Sequence, residues 1–164
     1  MTDQIFKSTF ICTSQIFRRK AVTMKGTDFV LKLTRKQKSG HTKGIWVGTV
    51  KVQVADSTQT VVDILDDPSS GGGIRHIAEI VVNYFNSEHR NDTNLINYTT
   101  EKKNKTIYKR LGYILETMDI NAPEVKEVCK KNISTGYSAL DPAVKAKGTF
   151  NRKWNLRVNV EIKK

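Results

Sequence analysis

Basic side chains are the most numerous chemistry-bearing groups in this sequence, and they come in clusters. Arg18, Arg19 and Lys20 form one run. Lys32, Arg35, Lys36, Lys38 and Lys43 surround a second stretch, and Lys102, Lys103, Lys105, Lys109 and Arg110 form a third, with Tyr108 among them. Arg152, Lys153 and Arg157 lie near the end. Such groups suit phosphate oxygens, giving salt-dependent affinity with little reading of base sequence. Arg18, Arg19, Lys20, Lys36, Lys38 and Lys43 are therefore expected to contact nucleic-acid phosphates, with Lys105, Lys109 and Arg110 as a second patch. The second patch surrounds a helix start, where cations are unfavourable unless an anion is present.

The other groupings are weaker. Asp63, Asp66 and Asp67 could hold Mg²⁺ in a nuclease, but a two-metal site needs carboxylates that converge on one phosphate. Asp63 instead falls in an apolar helical stretch, and Asp66-Asp67-Pro68 reads as a helix-ending turn. Gly71-Gly72-Gly73 opens a helix, a place where backbone N–H groups can bind phosphate. The residues that follow, Ile74 and Arg75, are not the Lys-Ser/Thr of a P-loop. A turn that lets two helices approach is the better reading. His41, His76 and His89 are scattered, and Cys12 and Cys129 lie far apart, so no metal-ligand spacing emerges. A Gly-x-Ser-x-Gly elbow is missing. The expectation is a protein with no catalytic residue, no metal and no cofactor, and so not an enzyme.

Composition bounds the classes. The chain has 164 residues, 28 Lys+Arg against 16 Asp+Glu, a formal charge of +12, and 38% hydrophobic residues. That length is one domain, and the apolar share excludes general disorder. No apolar run approaches the ~20 residues of a membrane span. The start, Met1 to Lys7, has no apolar stretch of a secretory signal, and two distant cysteines suit a reducing cytoplasm. The charge is uneven. Residues 1–56 carry 11 Lys/Arg and 3 Asp/Glu, residues 57–100 carry 2 and 6, and residues 101–164 carry 15 and 7. Two basic flanks thus enclose an acidic middle, the kind of asymmetry an oriented basic face produces.

The elements that must position these groups follow from periodicity. Thr9–Thr13, Lys20–Met24 and Phe29–Leu33 read as strands, with a turn at Lys25-Gly26. Ile45–Val54 changes parity at Gly48-Thr49, which predicts a tight hairpin or a bulge. Asp56 or Ser57 can cap a helix bearing Val61, Val62, Ile64 and Leu65. Ile74, Ile77, Ala78, Val81, Val82 and Phe85 form the clearest amphipathic stripe. Further helices follow at Leu95–Tyr98, at Ile107–Met118 and after Pro123. Trp154, Leu156, Val158, Val160 and Ile162 alternate with polar residues and predict a closing strand. The fold class expected is α+β: a sheet of the early strands plus the C-terminal strand, covered by four to five helices. Residues 1–56 are mainly β, 57–133 mainly helical, and 134–164 a closing loop and strand.

Four segments in this order resemble a known family. Val54–Pro68 followed by Gly71-Gly-Gly-Ile74, Tyr108–Glu116 with its Arg110-Leu-Gly-Tyr113, Leu140-Asp-Pro142, and Asn151–Asn159 with Arg152-Lys-Trp154 resemble the C-terminal domain of AbiEi-family antitoxins. The resemblance runs from about Phe10 to Val160, so residues 1–164 are read as a single AbiEi-like domain. These antitoxins belong to type IV (abortive infection, phage-defence) toxin–antitoxin systems. The resemblance implies an autorepressing transcriptional regulator that binds operator DNA and counteracts a nucleotidyltransferase-like toxin, without necessarily forming a stable complex with it. The family's usual N-terminal winged helix has no counterpart before residue 9, so the resemblance implies phosphate holding and toxin antagonism more than operator reading. Arg110-Leu-Gly-Tyr113 and Asp141-Pro142 read as structural, with Gly112 permitting close packing. A module docking an acidic protein partner stays open as an alternative. So, more distantly, does a metal-dependent nuclease using Asp63, Asp66 or Asp67.

Overall fold

The computed structural model describes residues 8–13, 15–16, 18, 20–33 and 41–163. Contacts divide the chain into two compact units, residues 1–40 and 41–164. In the first, strands β1 (Ser8–Thr13), β2 (Ala21–Met24) and β3 (Thr27–Leu33) form a sheet in the order β1-β3-β2. β3 runs parallel to β1 and antiparallel to β2. The β2–β3 turn is the expected Lys25-Gly26, both at positive φ (48° and 77°).

The second unit opens with a hairpin of β4 (Thr42–Val47) and β5 (Val50–Ala55), joined at Gly48-Thr49 as the parity change predicts. Ile45 and Val47 sit opposite Val52 and Val50, so all four share one face of the hairpin, and all are exposed. The hairpin is tied to the helices at its base. The His41 ring stacks on Tyr98 at 3.4 Å between centroids, and His41 Nε2 lies 2.9 Å from Glu101 Oε2.

The helices are α1 (Ser57–Asp66), α2 (Ile74–Phe85), α3 (Asp92–Glu101), α4 (Thr106–Thr117) and α5 (Pro123–Asn132), with a 3-10 turn at Pro68–Gly71. Asp56 caps α1 by accepting from the Gln59 N–H at 2.7 Å, which removes one of the orphan donors of the first turn. The expected apolar stripes form the core: Val61, Val62 and Leu65 of α1, Ile74, Ile77 and Val81 of α2, Leu95 of α3, and Ile107, Leu111, Ile114 and Leu115 of α4 are all buried. The glycine run does what a close helix pair needs. A Cβ on Gly71 would stand 2.8 Å from Ile77 Cγ1 and 2.9 Å from Ile64 Cβ, so only glycine lets α1 and α2 meet there.

The α+β class holds, with five helices and three small sheets among the described residues. The single sheet does not. The C-terminal strand does not join the early ones; β8 (Leu156–Val158) pairs parallel with β6 (Ser138–Ala139) and antiparallel with β7 (Thr149–Asn151). The expected strand over 154–162 is paired only at its middle, although its alternation survives: Trp154, Leu156, Val160 and Ile162 are buried. Its partners lie in the segment read as a closing loop. Strands of two or three residues are too short to announce themselves by alternation.

Candidate functional site

Of the basic residues expected to meet phosphate, Arg19, Lys36 and Lys38 lie outside the described residues. Arg18 and Lys20 are exposed in the first unit; Lys43 on β4 and Lys105 just before α4 are exposed in the second. Lys109 and Arg110 must be removed from that interface. Both are buried, at 0% and 5% exposure.

The reason lies in what surrounds them. Lys109 Nζ donates to Gly136 O at 2.7 Å and to Ser138 Oγ at 3.3 Å. No carboxylate is among these partners, and burial pushes its pKa below the ordinary lysine value. Arg110 lies on the inward face of α4, three residues after Ile107 and four before Ile114. Its Nη1 donates to Leu65 O at 2.8 Å and Asp66 O at 3.2 Å, and its Nε to Leu140 O at 3.1 Å. Leu65 and Asp66 end α1, so their carbonyls have no intrahelical donor and carry the negative end of the helix dipole. Burial lowers the Arg110 pKa, opposed by Asp66, Asp141 and Asp67, in that order. Arg110 and Lys109 are thus held by the protein's own carbonyl and hydroxyl oxygens, with carboxylates near Arg110 alone.

The N-terminus of α2 is treated similarly. The Ile74 N–H donates to Asp141 Oδ2 at 3.0 Å, and Asp141 Oδ1 accepts from the Ala143 N–H at 3.0 Å. Asn159 holds the other side of this residue: its Oδ1 accepts from the Asp141 N–H at 3.0 Å, and its Nδ2 donates to Asp141 O at 2.7 Å. A buried carboxylate therefore stands where a phosphate would bind beside Gly73. Asp141→Ala is expected to cost about 2 kcal/mol of unfolding free energy in urea, the scale of a lost cap plus a buried unpaired N–H. Asp141→Asn, which keeps an acceptor oxygen, is expected to cost less than half of that. Equal losses from the two variants would assign the effect to charge alone.

The remaining motif residues meet nearby. A Cβ on Gly112 would clash with Cζ3, Cη2 and Cε3 of the Trp154 indole, so the approach expected for Gly112 is made to that ring. Trp154 is fixed by its Nε1–H, which donates to Glu116 Oε2 at 2.7 Å. Burial acts to raise the Glu116 pKa, but hydrogen bonds from Lys153 and Trp154 outweigh it and hold the carboxyl below its ordinary value. Cys129 packs in the same core. Burial pushes its thiol up to about 12, leaving it protonated and inert.

The three carboxylates of the nuclease reading go to separate partners. Asp63 Oδ1 pairs with Lys102 Nζ at 2.7 Å. Asp66 accepts from Asn104 Nδ2 at 2.7 Å, and Asp67 from the Ser69 N–H at 3.1 Å. Sequence reading missed Tyr137 and Phe150, which stand exposed on the small C-terminal sheet, 49% and 63% accessible. Aromatic residues inside a basic segment were the available signal. No protein-family model, curated protein or solved structure matches the chain.

Proposed function

We propose that the chain is a non-enzymatic antitoxin and transcriptional-regulator domain of the AbiEi kind, from a type IV toxin–antitoxin system. One observation carries this reading. The separate segments on which the family resemblance rests converge in space. Arg110 binds the end of Val54–Pro68 and Leu140, Gly112 receives Trp154, and Asp141 closes the helix opened by Gly73 and is held by Asn159. Residues that resemble a family because they build its core should meet in this way.

In this reading the domain works in the cytoplasm and counteracts a nucleotidyltransferase-like toxin. It holds DNA phosphates, at an operator or without sequence preference, through Arg18, Arg19, Lys20, Lys36, Lys38, Lys43 and Lys105. No helix among the described residues is long and apolar enough to cross a membrane.

The antitoxin activity is tested by expressing the chain with a nucleotidyltransferase-like protein encoded beside it. Restored growth supports the reading, and unrelieved toxicity overturns it. The DNA contact is tested by titrating duplex DNA at several salt concentrations. Affinity is expected to fall steeply with salt, and Lys43→Ala and Lys105→Ala to flatten the log–log slope by about one each. An affinity that is flat from low to moderate salt would remove DNA from the proposal.

A further inference from the structure

The net positive charge of the second unit resides in one stretch. Residues 41–132 carry twelve Lys/Arg and twelve Asp/Glu, whereas residues 133–164 carry seven against two. Neither acid of that stretch offsets its basic face. Asp141 is buried at the start of α2, and Glu161 has Lys163 beside it at 3.6 Å. Lys145, Lys147, Arg152 and Arg157 are exposed and have no ion-pair partner among the described residues.

Arg157 of this set lies on β8, and Lys145, Lys147 and Arg152 lie in the segments before and after β7. Along β8, Leu156 is fully buried and Arg157 exposed, which defines the inner and outer faces. Arg157 sits opposite Phe150 on β7 and Ala139 on β6, so Phe150 shares the outer face. Tyr137, two residues before Ala139, completes it, because side chains two apart point the same way. The two rings lean together across β8, 4.7 Å between centroids at an interplanar angle of 62°. An aromatic pair therefore stands in solvent beside a central arginine, and Lys147 and Arg152 bracket Phe150 in the chain.

From this geometry we infer that the outer face of the β6-β8-β7 sheet binds single-stranded nucleic acid. Unpaired bases stack on Phe150 and Tyr137, and the backbone phosphates meet Arg157 on the same face, with Arg152, two residues after Phe150, next in reach. The charge selects a polyanion, and the exposed rings select among polyanions. A duplex keeps its base faces stacked on one another and offers a ring no partner, whereas an unpaired base of any identity presents a π face. An acidic protein would meet the cations but has no matching use for two rings held edge to face in water. The inference uses residues other than the duplex-phosphate residues and does not depend on the antitoxin reading.

The test titrates labelled oligo(dT), oligo(rU) and a duplex of equal length with the full chain at fixed salt. Oligo(dT) and oligo(rU) should both bind, and loss of either ring should weaken that binding while leaving the duplex affinity unchanged. Phe150→Leu, which keeps apolar bulk but removes the π face, should weaken single-strand binding about tenfold without changing the salt slope. Arg157→Gln should weaken it and flatten the slope by roughly 0.7, the contribution of one phosphate contact on a single strand. Tyr137→Leu is measured in parallel, so that a folding defect in one variant leaves the other readable. Unchanged single-strand affinity in both ring variants, a ring variant that weakens the duplex as much as the single strands, or polyglutamate competing as well as oligo(dT) would overturn the inference.

Discussion

Replacing Arg110 by leucine is expected to lower the stability of the 41–163 unit by about 3–5 kcal/mol, because several buried carbonyls would each lose a donor at ~1–3 kcal/mol. The guanidinium reaches Leu65 O and Asp66 O on one side and Leu140 O on the other. Arg110→Leu packs well enough by volume, so the loss comes from the abandoned carbonyls rather than from a cavity. Arg110→Lys keeps the charge but not the planar fork. A compact ammonium cannot serve the end of α1 and the 139–140 strand end together, so lysine is expected to recover only part of the loss. Urea unfolding followed by circular dichroism measures both. A leucine variant within about 1 kcal/mol of the parent would show that water replaces the guanidinium at no cost. Under conditions where Arg110→Lys is folded, its affinity for duplex DNA should equal the parent's, because the side chain never reaches the surface. Loss of DNA binding without loss of fold would return Arg110 to the interface.

Gly112→Ala is expected to destabilise by about 2–3 kcal/mol, against the ~1 kcal/mol that alanine gains over glycine in a helix interior. Propensity loses because the new methyl group would clash with the edge carbons of the Trp154 ring. The ring cannot retreat cheaply: its Nε1–H is bonded to Glu116 and its backbone N–H to Asn151 Oδ1 at 3.0 Å. Trp154→Leu alone should also be costly, but combining it with Gly112→Ala should cost at least about 1 kcal/mol less than the sum of the two, as neighbours in one packing clash do. Strict additivity, or a Gly112→Ala variant more stable than the parent, would place the ring elsewhere.

How far the molecule could be read from its sequence depended on how local each signal was. The stripes at Ile74–Phe85 and Ile107–Met118, the cap at Asp56 and the turn at Gly48-Thr49 are written within a dozen residues each, and the structure has all of them. The partners of β8 are not written locally. Ser138–Ala139 and Thr149–Asn151 become strands only because Leu156–Val158 lies between them. The candidate site divided in the same way. Lys109 and Arg110 read as surface because charged residues are seldom fully buried. Yet Arg110 falls on the Ile107–Ile114 stripe, and that spacing alone pointed it inward. Tyr137 and Phe150 are separated by a stretch without periodicity, so their meeting could be found only in three dimensions.

The contacts made by Arg110 and Asp141 also bear on how the chain reaches its fold during synthesis. The bond from Ile74 to Asp141 spans 67 residues, and those from Arg110 to Leu65 and Leu140 span 45 and 30. Two of the helices leave the ribosome before a group that completes them. α2 emerges without its cap, and α4 emerges with its guanidinium satisfied on one side only. Closing such long loops costs chain entropy before any contact returns it. A nascent chain that has not yet reached Leu140 therefore lacks these two contacts, and Leu140 and Asp141, which supply them, are made after all five helices.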